Sequence, residues 1–362
     1  MQIIQDRRAL HRIPELGMAL PMTLAYLEKA LQDLNCQVFS PMEGALCAFF
    51  DFGAETALAF RADMDALPIA EMNETDHRSC HPGQMHACGH DGHMAILLEL
   101  ARRLDRKQEN PRNILLVFQP AEETIGGAKY ICDTGIFEKY RVEAIFGLHL
   151  WPGLNAGQVY SRKEELMARA SEINVDIYGK SAHIAKAAEG VDAIAAGTEF
   201  YRRAMAMEAA LPEHVFRLLK FGKFESGTVR NALSAHTHME GSLRAFQDAI
   251  FDGMKDALSA IGRELEAQFG CRVEIDINSG YPAVLNPGDL YDRVTETVDF
   301  QELDGPCMTA EDFAFYQRRI PGLFFFLGTG EGPALHTSNF DFDESVLETG
   351  ADLFEKLAVN FK

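Results

Sequence analysis

The feature that most constrains the fold is an alternation. Short, almost wholly apolar runs that read as buried strands are separated by segments with helical periodicity, the order expected where helices cover a largely parallel sheet. Residues 45–50 and 56–62 read as strands, 94–104 as a helix, 113–118 as a buried strand, 126–140 as a helix and 144–150 as a second buried strand. Residues 21–35 carry a helical apolar pattern with Pro21 at the first turn, whereas 71–93 are polar, rich in His and without a regular period. From about residue 168 to 278 the order changes to strand 171–178, helix 191–210, strands 215–224 and 234–245, helix 247–269 and strand 272–278. That βαββαβ order is the ferredoxin-like signature. After Tyr281 the first pattern resumes, with a helix near 310–318, a strand at 323–327 and a last helix from about 344. The expected fold class is therefore α/β. A discontinuous domain, residues 1–168 and 279–362, has a mostly parallel central sheet, and an inserted ferredoxin-like domain spans 169–278.

Composition narrows the function. The 362 residues suit about two domains. With 34 Lys+Arg against 54 Asp+Glu, the chain carries a formal charge of -20. Nucleic-acid and anionic-membrane binders need clustered Lys and Arg to replace counterions, so neither partner is expected. No apolar stretch approaches the ~20 residues of a membrane span, and residues 1–17 hold no continuous hydrophobic region. Seven cysteines, an odd number set mostly in apolar runs, read as reduced thiols in a cytoplasmic protein.

Two segments carry the strongest chemical signal. Residues 85–93 pack Cys88, Asp91 and the imidazoles His86, His90 and His93 into a turn-rich stretch just before a helix. Thiolate and imidazole together favour a first-row transition metal over Mg or Ca. A surface loop would account for any one of these residues, but the density favours metal binding. Residues 117–123 end a buried strand in Glu122 and Glu123, and ligands of open α/β sheets gather outside the carboxyl ends of strands. A solvated strand-to-helix loop explains that pair equally well on its own. His149 closes the next strand, His336 comes late in the chain, and Asp63 and Asp65 end the strand beginning near residue 56, with an Arg61–Asp63 ion pair as a structural explanation for part of that motif. Five separated segments thus offer Cys, His, Glu and Asp to one site, as a two-metal hydrolytic centre requires. An additional carboxylate outside the ligand set would move the proton. No GxGxxG, Walker A or GxSxG motif occurs in a supporting context.

At these residues the chain resembles the M20 metallopeptidase and amidohydrolase family, in its branch of N-acyl amino acid amidohydrolases. That branch includes hippurate hydrolases, indole-acetyl amino acid hydrolases and N-acetyldiaminopimelate deacetylases. The resemblance is carried by residues 10–17, 61–68, 86–93, 119–123, 147–149, 308–313 and 335–336, in the family's order. It implies that Cys88, His90, Glu123, His149 and His336 bind two divalent ions, Zn or Mn with Ni or Co as further candidates, and that Glu122 is the base. One ion would see Cys88, Glu123 and His336; the other would see Cys88, His90 and His149. Related enzymes place a metal-binding His two residues before the Asp, where this chain has Arg61; Asp63 would then orient an imidazole ligand from behind. His81, His86 and His93 read as loop or supporting residues.

The inserted domain falls where the family carries its lid and dimerisation domain. The resemblance therefore implies a homodimer in which His183 reaches the other subunit's site and stabilises the oxyanion. Asn231 and Arg244 would grip the substrate α-carboxylate, although Arg244 could equally cap or pair at a strand end. Ala182 and Ile184 depart from the branch's usual pattern around His183. The implied activity is hydrolysis of N-acetyl or N-aroyl amino acids. N-acetyldiaminopimelate deacetylation, a di- or aminopeptidase with the same centre, and a non-catalytic binder of metal or acyl-amino acids are the alternatives. An intact Glu122, which a pure binder does not need, favours an enzyme.

Overall fold

In the computed structural model, which describes residues 1–361, the chain divides into two compact units. The first comprises Met1–Leu166, Val284–Pro306 and the chain from Asp312 onward; the second comprises Met167–Ala283 and Cys307–Glu311. The short segment Cys307–Glu311, which the sequence pattern leaves with the discontinuous domain, joins the second unit through Ala168, whose amide donates to the carbonyls of Cys307 and Thr309.

The first unit is built on an eight-stranded mixed sheet. Its centre is parallel: Asn113–Gln119 pairs with Ala57–Asp63, which pairs with Val142–Pro152, which pairs with Gly322–Gly330. All seven residues of Ala57–Asp63 and of Asn113–Gln119 are buried, as expected for strands covered on both faces. Antiparallel strands flank this core, Leu46–Phe50 on one side and Val159–Ser161 on the other. Because the central strands are parallel, Asp63, Gln119 and the His149 end of Val142–Pro152 all lie toward one edge of the sheet.

Helix His90–Asp105 packs between Gln2–His11 and Leu347–Asn360. It begins four residues earlier than periodicity suggests, because its first turn is buried on every side and shows no polar face. Gly89, with φ 88°, makes the left-handed entry that points His90 inward. The expected helix over 126–140 is two helices, Gly127–Asp133 and Ile136–Lys139, separated at Gly135, which has φ 73°.

The second unit has the order strand Arg169–Tyr178, helix Ala193–Ala209, strands Arg217–Ser226 and His236–Ala245, helix Asp248–Phe269 and strand Arg272–Ile277. Its four strands form one antiparallel sheet in which Arg169–Tyr178 and His236–Ala245 are central and Arg217–Ser226 is an edge. Ile173, Val175, Phe200, Leu219, Met239 and Phe251 form its own core beneath the two helices. Among the described residues, no helix is long and apolar enough to cross a membrane.

Candidate metal centre

Five side chains from four segments of the first unit converge. One donor atom each from Cys88, His90 and His149 lie within 4.8 Å of one another, and so do one each from Cys88, Glu123 and His336. Cys88 belongs to both triads. Its sulfur is 3.3 Å from His149 Nε2 and 3.3 Å from His336 Nε2, and His336 Nε2 is 3.2 Å from Glu123 Oε1. Cys88, His90 and His149 are buried, whereas the His336 side chain is 51% exposed and leaves one side of the group open.

The backbone around the cluster is strained. Only four non-glycine residues among those described have positive φ, and two are at this site: Ala121 at 58° and His336 at 62°. Each costs on the order of 1–3 kcal/mol and persists only where its surroundings over-determine it. His336 N donates to Ala87 O at 2.8 Å, tying the late loop to the Cys88 segment.

Hydrogen bonds fix the imidazole tautomers. His149 Nδ1 donates to Leu150 O at 2.7 Å and His90 Nδ1 donates to Asp65 O at 2.7 Å, so the Nε2 lone pair of each faces the cluster. His90 Nε2 is buried with no hydrogen-bond partner, an arrangement that costs stability unless something else satisfies it. Burial lowers the His90 pKa, yet the Asp63, Glu123 and Asp65 carboxylates outweigh it and hold the ring up to about 8. A place that stabilises a proton on an imidazole also stabilises a metal cation. Burial, with Glu123 and Glu122 nearby, pushes the Cys88 thiol well up, a bias that a bound cation would reverse. Sulfur, imidazole and carboxylate donors, one of them orphaned and all in a negative pocket, fit a pair of divalent transition-metal ions.

Asp63 lies beside both His90 and His93 and hydrogen-bonds His93. Its Oδ1 accepts from His93 Nδ1 at 2.6 Å and its Oδ2 from Arg61 Nη1 at 2.7 Å, whereas His90 Nε2 is 3.7 Å away. The reason is Arg61. Its guanidinium also donates to Asp312 Oδ1 at 2.8 Å and to Gln119 Oε1 at 2.8 Å, closing a buried network that Gln119 and Tyr316 complete. His93 is the intermediary: its Nε2 accepts from Leu150 N at 2.9 Å, and the carbonyl of the same residue, in the next peptide, accepts from His149 Nδ1. The path from Asp63 therefore reaches His149 through one imidazole and the backbone of Leu150.

Glu122 is buried and belongs to neither of the two triads that share Cys88, while one of its oxygens lies within 4.8 Å of donor atoms of His90 and Glu123. Its amide and that of Glu123 donate to the two carboxylate oxygens of Asp65, which burial pushes up to about 7. The sequence pattern singled out neither Asp65 nor Asp312 as a holder of other groups. The Asp63–Asp65 repeat at a strand end was the only signal, and it does not reveal which amides a carboxylate will meet.

In the second unit, His183 is exposed, and its Nδ1 accepts from Ala185 N at 3.2 Å at the start of the 3-10 turn Ile184–Glu189. Its proton therefore sits on Nε2. Asn231 is exposed and its carbonyl accepts from Ile184 N at 3.0 Å. Arg244 is half-buried and donates through Nη1 to Met308 O, a strand-end contact of the kind the sequence left open.

The fold and this cluster define a metal-dependent hydrolase. Residues 59–360 match peptidase family M20/M25/M40, and the chain belongs to that family. It is 33% identical over 377 residues to an uncharacterised hydrolase of Staphylococcus saprophyticus, covering 99% of this chain and 97% of that protein. A crystal structure from methicillin-resistant Staphylococcus aureus has a TM-score of 0.92 at 27% identity, covering 99% of this chain and 96% of that one. The Bacillus subtilis YXEP protein, described as a dinuclear metal-binding peptidase of the M20 family, has a TM-score of 0.86 at 28% identity with the same coverage, 99% and 96%.

Proposed function

We propose that the protein hydrolyses the amide bond of N-acyl amino acids, releasing a carboxylic acid and the free amino acid. The observation that carries this reading is the pair of donor triads sharing Cys88, with Glu122 beside them and in neither. Cys88, Glu123 and His336 would hold one divalent ion and Cys88, His90 and His149 the other. When bound, two such ions lower the pKa of water and polarise a carbonyl oxygen. Glu122 Oε takes the proton from the attacking water and delivers it to the leaving nitrogen, so one carboxylate serves as base and then as acid. Its burial keeps bulk water from competing for that proton.

His183, contributed by a second copy, donates Nε2–H to the developing oxyanion; the bond its Nδ1 accepts from Ala185 supports that tautomer. Arg244 and Asn231 bind the substrate carboxylate. The homodimer is supported by the edge strand Arg217–Ser226, where Phe224 is exposed, as are Ile194 and Tyr201 of helix Ala193–Ala209. A cytoplasmic setting suits the seven free cysteines. The peptidase description of the Bacillus subtilis relative favours a di- or aminopeptidase as the second reading.

The test is amine release from N-acetyl and N-benzoyl amino acids, N-acetyldiaminopimelate and dipeptides, with metal-stripped protein and protein reloaded with Zn or Mn. Metal-dependent release from the acyl amino acids is expected. Release from dipeptides alone would replace this reading with the peptidase one.

A further inference from the structure

One face of the four-stranded sheet in the second unit is covered by helices and the other is not. Leu219 and Leu243 point into the core beneath the helices, so Lys220, Ser242 and Arg244, their neighbours along the two strands, leave the sheet on the open face. In the register of strand His236–Ala245 with the edge strand Arg217–Ser226, Leu218 lies opposite Arg244 and Lys220 opposite Ser242. Lys220 and Arg244 are therefore diagonal neighbours, about 7–8 Å apart, a spacing that long side chains bridge. Both line a cavity of about 700 Å³ on this face, together with Glu172, Lys223, Glu240 and Met308.

Most of the charge around the cavity is already matched. Lys223 Nζ is 2.8 Å from Glu240 Oε1 and 3.4 Å from Glu225 Oε2. Glu172 Oε2 accepts from Asn278 Nδ2 at 3.3 Å, and Glu172 stands across Ser242 from Lys220, two strand spacings or about 10 Å away. Arg244 uses Nη1 on Met308 O and keeps its other donors free. The exposed Lys220 ammonium has no partner among the described residues. In a chain of formal charge -20, this cavity thus sets two unmatched cations side by side. Like charges at this spacing repel, and a ligand with two carboxylates relieves both at once, whereas a ligand with one leaves the ammonium unopposed.

We propose that Lys220 reads a second carboxylate, so that the preferred substrates are N-acyl amino acids whose side chain itself ends in a carboxylate. The planar fork of Arg244 suits the α-carboxylate, held in one orientation, and the rotatable ammonium of Lys220 suits the end of a flexible side chain. Pairing of the edge strand with a second copy leaves Lys220 in place, because such pairing bonds main chain in the plane of the sheet while the ammonium projects out of it. This inference rests on the acyl-amino-acid reading and on Arg244 as the holder of the α-carboxylate.

The experiment measures kcat and KM of the metal-loaded protein on N-acetylglutamate and its neutral isostere N-acetylglutamine, for wild type, Lys220→Met and Lys220→Glu. An exposed charge pair contributes up to about fivefold, and a charge-assisted hydrogen bond inside a cavity somewhat more. Wild type should therefore favour the glutamate substrate by about 5–10-fold in kcat/KM, with the difference in KM, since the contact is the same in the ground and transition states. The preference should vanish in Lys220→Met and reverse in Lys220→Glu. Both substitutions alter an exposed side chain outside the core, and Lys220→Gln replaces either one that does not fold. Wild type without a preference for glutamate, or a preference that survives in the variants, overturns the proposal. Release of amine from other acyl amino acids but from neither member of this pair overturns it as well. Wild-type protein that releases amine from no acyl amino acid overturns the functional reading beneath it, a failure visible without any variant.

Discussion

The stability lost on replacing His11 by Gln should depend on pH in a way that can be calculated. His11 is 1% exposed, with Nδ1 2.8 Å from Asp91 Oδ2 and Nε2 3.2 Å from Glu71 Oε1. Both ring nitrogens face carboxylates, so both donate and the ring is an imidazolium. Burial opposes the charge, but Asp91 and then Glu71 outweigh it and raise the pKa from 6.5 to about 9. Each unit is worth 1.36 kcal/mol, so the ring contributes about 3 kcal/mol, to order of magnitude. Because the folded pKa lies above the unfolded one, this contribution is complete below pH 6.5 and disappears as the pH rises through 9.

The assay is the unfolding temperature of wild type and His11→Gln in the same chelator-containing buffer from pH 6 to 9.5. Groups common to both proteins cancel in the difference. The gap should be on the order of 5–10 °C near pH 6 and should shrink steadily toward pH 9.5. A gap that stays constant across this range would mean that the ring is neutral in the folded protein, and the reasoning would fail.

Three shorter tests concern the site and its support. Cys88→Ser removes the donor common to both triads and His336→Ala a donor of one, so metal analysis by plasma mass spectrometry should find nearly none in the first variant and about one ion per chain in the second. Equal metal content in the two would refute the shared-thiolate arrangement. Arg61→Leu leaves Asp63 and Asp312 buried without their cation and should cost about 3–5 kcal/mol of stability in denaturant unfolding. A loss below about 1 kcal/mol would mean that the network is dispensable.

The parts of this molecule legible in its sequence are those encoded by local pattern. Continuous apolar runs end in polar residues at Asp63, Gln119 and His149, and the parallel register carries those ends to the same side of the sheet. The dense segment from His86 to His93 identifies itself by composition alone. Helix Gln2–His11 does not, because Arg7 and His11 are buried against Asp91 and Asp6 is buried against Arg102, so its inward face reads as polar. Likewise a pattern cannot indicate that Arg61 binds Asp312, some 250 residues later, or that Asp63 hydrogen-bonds His93. The break at Gly135 was visible as a glycine, but a helix tolerates one glycine, and only the left-handed φ shows that the chain turns there.

The central claim is that Glu122 carries the proton and ligates no metal. The direct measurement is turnover of the best acyl-amino-acid substrate and metal content per chain, on wild type and Glu122→Gln prepared side by side. The account predicts unchanged metal content and a loss in kcat of about 10²–10⁴-fold. A variant that keeps wild-type turnover, or one that loses turnover only because it has lost a metal, would contradict it.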